Sequence, residues 1–320
     1  MHTPLYKKAF LHSWHLAWKQ HTLWPLGLFA SALGQMGIID VLSQSWFTVQ
    51  GYRPGRGWVL FFSSLREGIV GGTIETSMIG WVVFLSVFFL SLGLMFLFVS
   101  VVSQGALVDM TAQMVKRKKT PDIGRAWHLG VGHFWRVLVV NILKKVTLCL
   151  VGVSVVAVSL PFLLSTGDSP FVFLGVFLLA SGVGIVVSFL AIYTVGYIVV
   201  EEYTFVQALR SAWQLFLEHW LVSFEVGVMI FFLNIVVACI LVVGLFLSLV
   251  PAFFAYFFAL LFSSGTVFAV GVALSATLFL LFFFLVASVF SVFVISTWTY
   301  LFMHMHKTGL KSHLLHWLRT

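Results

Sequence analysis

Six stretches of this chain are apolar for long enough to cross a membrane, and no other feature limits its fold so sharply. A helix needs about 20 mainly apolar residues to pass the hydrocarbon core. Such runs occupy residues 23–41, 78–103, 146–165, 171–200, 221–250 and 267–300. Backbone in lipid must satisfy its own hydrogen bonds, so runs of this kind fold as helices. Gly27, Gly34, Gln35, Gly37 and Asp40 dilute the first run. The last two exceed one crossing, which predicts tilt or extension past the bilayer. Residues 252–262 form a further apolar stretch, too short to span, that reads as an interfacial or re-entrant link.

Composition agrees with this reading. Of 320 residues, 61% are hydrophobic and 9% charged, where soluble domains carry about 25% charged residues. No stretch between long apolar runs exceeds roughly 45 residues, close to the limit of about 40 below which a lone core fails. The expected fold class is therefore all-α: a polytopic membrane protein with six transmembrane helices, residues 1–320 forming one membrane domain. In such a chain a net charge of +8 reports orientation, and nucleic acid is not an expected partner. Cys149 and Cys239 lie inside apolar runs, where they read as small hydrophobes and not as a disulfide framework.

The charges choose a side. Lys7, Lys8 and Lys19 precede the first run; Lys116, Arg117, Lys118, Lys119, Arg125 and Arg136 fill the second connection; Arg210 lies in the fourth; Lys307, Lys311 and Arg319 lie in the tail. The opposite face has Arg53, Arg56 and Arg66. The positive-inside rule puts both termini and the basic connection in the cytoplasm. All 11 histidines fall on that same predicted face.

Three similar segments precede runs one, three and five. Tyr6, Phe10, Trp14, Ala17 and Trp18 recur at helical spacing, with Lys8, His12, His15 and Lys19 opposite. The second copy sets Ile123, Trp127, Val131 and Phe134 against Arg125, His128 and Arg136; the third sets Val206, Leu209, Trp213, Phe216 and Trp220 against Gln207, Ser211, Gln214 and Glu218. Each carries a small residue followed by Trp (Ser13-Trp14, Ala126-Trp127, Ala212-Trp213) and, shortly after, a His and another Trp. Thr120-Pro121-Asp122 predicts a helix start with Thr120 as cap, and Thr204 with Gln207 a capping box. Amphipathic, Trp-rich helices of this kind lie in the headgroup plane. The plan is three pseudo-repeats at about 1–110, 111–200 and 201–306, the connection 43–77 being an insertion. A fourth amphipathic segment, 307–320, places Leu310, Leu314, Trp317 and Leu318 on one face.

Gly105-Ala106-Leu107, the basic stretch, Arg125-Ala126-Trp127, Trp135-Arg136 and above all Val199-Val200-Glu201-Glu202-Tyr203-Thr204-Phe205 running on to Ala212-Trp213 carry a resemblance. They resemble the membrane domain attached to some bacterial glycerophosphodiester phosphodiesterases and the YciC-like group of six-span inner-membrane proteins. The resemblance covers most of the chain after about residue 77. It implies a six-span topology and an address in the bacterial inner membrane. It implies no activity, because the phosphodiesterase chemistry of that family belongs to a separate soluble barrel for which this chain has no room.

The remaining polar residues supply the candidate sites. Asn141, Lys144, Lys145, Glu225 and Asn234 lie in or beside spans, where ionisable groups point to pairing or transport. Asn141 and Glu225 hold similar positions in repeats two and three, which predicts that they approach each other or the Lys144-Lys145 pair. His304, His306, His313 and His316, with His12 and His15, match no strong metal signature, so neither a metal nor a cofactor is expected. No nucleophile motif, phosphate loop or HExxH is present. The expected function is non-enzymatic: a lipid-interacting or membrane-organising protein. Its expected partners are anionic lipids held by Lys116, Arg117, Lys118, Lys119, Arg125 and Arg136, and other membrane proteins or a second copy. The alternative is a small transporter or channel with a cavity between the repeats.

Overall fold

A computed structural model of the chain describes residues 5–33, 76–117, 122–164 and 170–308. The second half of the first apolar run, Lys118, Lys119 and the expected amphipathic tail lie outside the described residues. Every described element is a helix: α1 (Leu5–Lys19), a 3-10 turn (His21–Leu23), α2 (Trp24–Ser31), α3 (Thr76–Arg117), α4 (Ile123–Gly132), α5 (Phe134–Leu164), α6 (Pro170–Val200), α7 (Phe205–Ser248), α8 (Val250–Phe262) and α9 (Gly265–Thr308). Among the described residues five segments are long and apolar enough to cross a membrane: Gly80–Lys116, Phe134–Val155, Leu174–Val200, Phe205–Phe262 and Gly265–His306. The chain is an all-helical, multi-pass membrane protein. Of the first apolar run, the described part forms α2, eight residues long.

The helices gather into two compact units. The first contains residues 1–35, 100–141 and 189–320. α9 is its axis, and α1, α2, α7 and α8 all pack along it. Small residues make that packing close, as they do between helices in lipid, where no hydrophobic driving force separates chain from solvent. A Cβ at Gly27 of α2 would lie 2.5 Å from the Ser288 carbonyl oxygen of α9, so only glycine admits this approach. The core around α9 contains Tyr193, Ile198, Val292, Leu301 and Phe302, all nearly fully buried.

The second unit contains residues 36–99 and 142–188. Its described parts are the first half of α3, most of α5 and the first part of α6. Trp81, Phe84, Phe88, Phe89, Leu150, Val153 and Leu179 are exposed on it, an apolar coat suited to lipid. Lys144 is buried in this unit, whereas Lys145 is exposed.

Local chemistry sets the helix boundaries. Asp122, not Thr120, caps α4: its Oδ1 accepts from the Gly124 N–H at 3.0 Å, serving a donor that no helical carbonyl can reach. At the start of α7 the Gln207 Oε1 accepts from the Thr204 hydroxyl at 2.8 Å and the Thr204 N–H at 3.4 Å. Between α6 and α7 the chain turns at Glu202, whose φ of 56° is left-handed, while Tyr203 stacks on Tyr197 at 5.5 Å.

Candidate functional site

Three helices at the polar end of the first unit share one construction. In α1 the fully buried residues are Ala9, Ser13 and Ala17, with Leu16 beside them. In α4 they are Ala126 and Gly130, and in the first part of α7 Ala208 and Ala212 with Leu215. Each set repeats a small residue every four positions, the spacing of one helix stripe. A Cβ at Gly130 would lie 2.6 Å from the Val102 carbonyl oxygen of α3, so α4 rests directly on that backbone.

The tryptophans follow a different face. Trp14 and Trp18 of α1 and Trp213 and Trp220 of α7 are about half exposed, and Trp135 is 73% exposed. Sequence periodicity placed Trp14, Trp18, Trp213 and Trp220 on the helices' apolar faces, which it laid in the headgroup layer. Against the neighbouring helices Ser13, Ala17 and Ala212 pack, and the Trp that follows each, about 100° further round, points off the flank. Phe10 and Trp14 of α1 still touch Phe293 of α9 at 5.6 and 6.0 Å.

Each of these helices then breaks at the seventh residue after its small-Trp pair begins. Gln20 has φ −109°, ψ 79° between α1 and the 3-10 turn. His133 has φ −98°, ψ 5° between α4 and α5. His219 has φ −127°, ψ 27° inside α7. Beyond each break the chain enters an apolar run. The His133 Nδ1 lies 2.8 Å from the Leu129 carbonyl oxygen, and the Ser223 hydroxyl donates to the His219 carbonyl at 3.0 Å, so side chains take up part of the disrupted ladder.

The basic residues surround acids as well as solvent. Asp109 is 9% exposed, accepts from Gln113 Nε2 at 2.7 Å, and lies within electrostatic reach of Arg125, His133 and Lys116. Lys116 also faces Glu201 at 4.0 Å, a loose, half-open pair of small energetic weight. Arg125 and Arg136 are exposed, and the backbone of Arg117 closes α3. Asp109 was not singled out from the sequence. The signal was there: an acid inside an otherwise apolar helix, four residues before Gln113.

Of the intramembrane candidates, Asn141 and Asn234 are buried. Asn141 Nδ2 donates to Gln104 Oε1 at 2.8 Å and to the Val137 carbonyl at 2.9 Å, so its cross-helix partner is an amide of α3. Asn234 Nδ2 donates to its own helix at Ile230. Glu225 is half-buried in α7. The Tyr193 hydroxyl meets Ser223 at 2.6 Å, tying α6 to α7. Beside Gln104, a crevice lined by Gly196, Ile295, Trp298, Thr299 and Phe302 has room for about one water molecule.

The histidines separate into two groups. His12 of α1 packs on Tyr300 at 5.2 Å, and Tyr300 stacks on His304 at 4.2 Å. His306, two residues on and so on the other side of α9, has its Nδ1 3.3 Å from the Tyr197 hydroxyl. Partial burial holds the His12 imidazole below its ordinary range, and neighbouring His15 and His304 push the same way. Among the described residues no three His, Cys, Asp or Glu side chains are grouped as a metal ion requires. No protein-family model matches the chain, and no curated protein or solved structure is significantly similar to it.

Proposed function

We propose that this chain is a non-enzymatic, lipid-interacting protein of the bacterial cytoplasmic membrane, whose collar of surface helices holds anionic headgroups. The collar consists of α1, α4 and the first part of α7, repeated with their following spans as three copies of one plan. Residues 23–41 supply the sixth crossing, and both termini face the cytoplasm. The likeness to the YciC-like group belongs to this proposal.

One observation carries the reading: small residues dock the three helices while Trp14 and Trp18 of α1, Trp213 and Trp220 of α7, and Trp135 at the start of α5 stay outside, Trp127 of α4 being half-buried. An indole exposed beside a spanning helix has its natural place in the headgroup layer, ring in the chains and N–H in water. The basic stretch of Arg117, Lys118 and Lys119 together with the exposed Arg125 and Arg136 supplies charge for that layer, each residue contributing about 1 kcal/mol of attraction to an anionic surface. Arg125 shares its charge with Asp109, so the stretch from Arg117 to Lys119 together with Arg136 carries most of the selectivity. Native mass spectrometry of the full chain, purified with mixed phospholipids, tests it. Phosphatidylglycerol or cardiolipin should remain bound over phosphatidylethanolamine; equal retention would refute the proposal.

A further inference from the structure

α7, α8 and α9 form one antiparallel hairpin whose apolar length exceeds a bilayer. Ala252 donates its N–H to Ser275 Oγ at 2.9 Å, Gly271 faces Ala255, and Gly244 faces Phe282. These three pairs keep one register across the α7–α8 junction, so the hairpin does not fold back at Pro251. Residues 226–262 contain no charged side chain and, at 1.5 Å per residue, extend about 55 Å. The hydrocarbon core is about 30 Å thick and helices tilt by at most about 40°. Even at that tilt the apolar length covers about 42 Å of depth, roughly 12 Å beyond the core.

The far end belongs at an interface. α8 stops at Ser263, whose φ of 48° is left-handed, and the N–H groups of Ser263 and Ser264 both return to the Ala259 carbonyl. The first amides of α9 have no helical acceptor, and the Ser264 and Thr266 hydroxyls meet at 2.7 Å. Such an end is costly in hydrocarbon. Between this turn and Glu225 the surface is apolar all round. Phe253, Phe254, Phe257, Phe258, Leu261 and Phe262 are each 47–72% exposed, while Ala252, Ala255 and Ala259 turn toward α9. A protein partner covers one face; acyl chains cover every face.

We infer that the α7–α9 hairpin selects long-chain phospholipids and the thicker bilayer they form. This extends the lipid reading from headgroup to chain, and a zwitterionic lipid series separates the two. The full chain is reconstituted in brominated and plain phosphatidylcholines from dimyristoleoyl to dinervonoyl, and quenching of its tryptophans gives relative binding constants. The optimum should fall at dierucoyl or longer, at least about threefold above dioleoyl. A second measurement places Leu261→Cys in a Cys149→Ala/Cys239→Ala background. An impermeant maleimide should label it in dioleoyl vesicles and be slowed at least about threefold in dierucoyl ones. An optimum at dioleoyl, or labelling independent of chain length, overturns the inference whatever the headgroup experiment shows.

Discussion

At His12 the fold opposes ionisation of a side chain on α1. Partial burial, then His15 and His304, favour its neutral form, so near neutral pH the folded protein binds fewer protons there than the unfolded chain. The stability this contributes is complete above the ordinary imidazole value of about 6.5 and is lost as pH falls toward the folded value. Titration followed by ring proton shifts should place His12 below that ordinary value, and His304→Gln should raise it part of the way back. A normal His12 in the intact protein would contradict the packing of α1 on Tyr300. Asn141 offers a second test at this scale. Asn141→Leu leaves Gln104 without its donor and should cost about 1–2 kcal/mol of thermal stability. Adding Gln104→Leu should recover part of that loss, because no buried amide is then left unpaired. How far such positions could be read from sequence depends on chemistry. Asn141 was visible as a polar residue near a span, but its partner was not, since Gln104 lies in a different helix at no characteristic spacing.

The docked helices depend on absent side chains. Gly130→Ala and Gly27→Ala push a methyl to within 2.6 and 2.5 Å of backbone oxygens, which cannot swing aside. Each should lose about 1–3 kcal/mol to overpacking, outweighing a helix-propensity gain of about 1 kcal/mol. Gly80→Ala meets nothing within 4 Å and should stabilise or leave unchanged the unfolding temperature in detergent. In α7, Ala212→Leu should detach the part ahead of His219, read as faster proteolysis there, whereas Trp213→Leu should not. The existence of these helices was legible in the periodic Trp and His residues. Their packing face was not. Hydrophobic periodicity gives most weight to large residues, while helices in lipid meet through small ones, so Ala9, Ser13 and Ala17 carried the relevant signal.

Across the described residues, five of the six expected apolar runs lie in helices long and apolar enough to cross a membrane, with bounds that shift most at Phe134–Val155 and Phe205–Phe262, because an uninterrupted apolar helix of that length has few other environments. The near-continuity of α7 and α8 was less legible. Pro251 and the short run at 252–262 look like an interruption, yet proline is tolerated in a helix's first turn, and Ser275 from α9 satisfies the adjacent amide. The central claim is that the basic collar selects anionic headgroups, and lipid competition at fixed chain length tests it most directly. Tryptophan quenching by brominated dioleoylphosphatidylglycerol, against the phosphatidylcholine analogue, should show tighter binding of the anionic lipid. Replacing Arg117, Lys118, Lys119 and Arg136 with Gln should lower that preference by up to about fivefold per residue, the equivalent of about 1 kcal/mol each. Equal quenching by the two lipids in the unmodified chain, or a preference untouched by the four substitutions, would contradict the account.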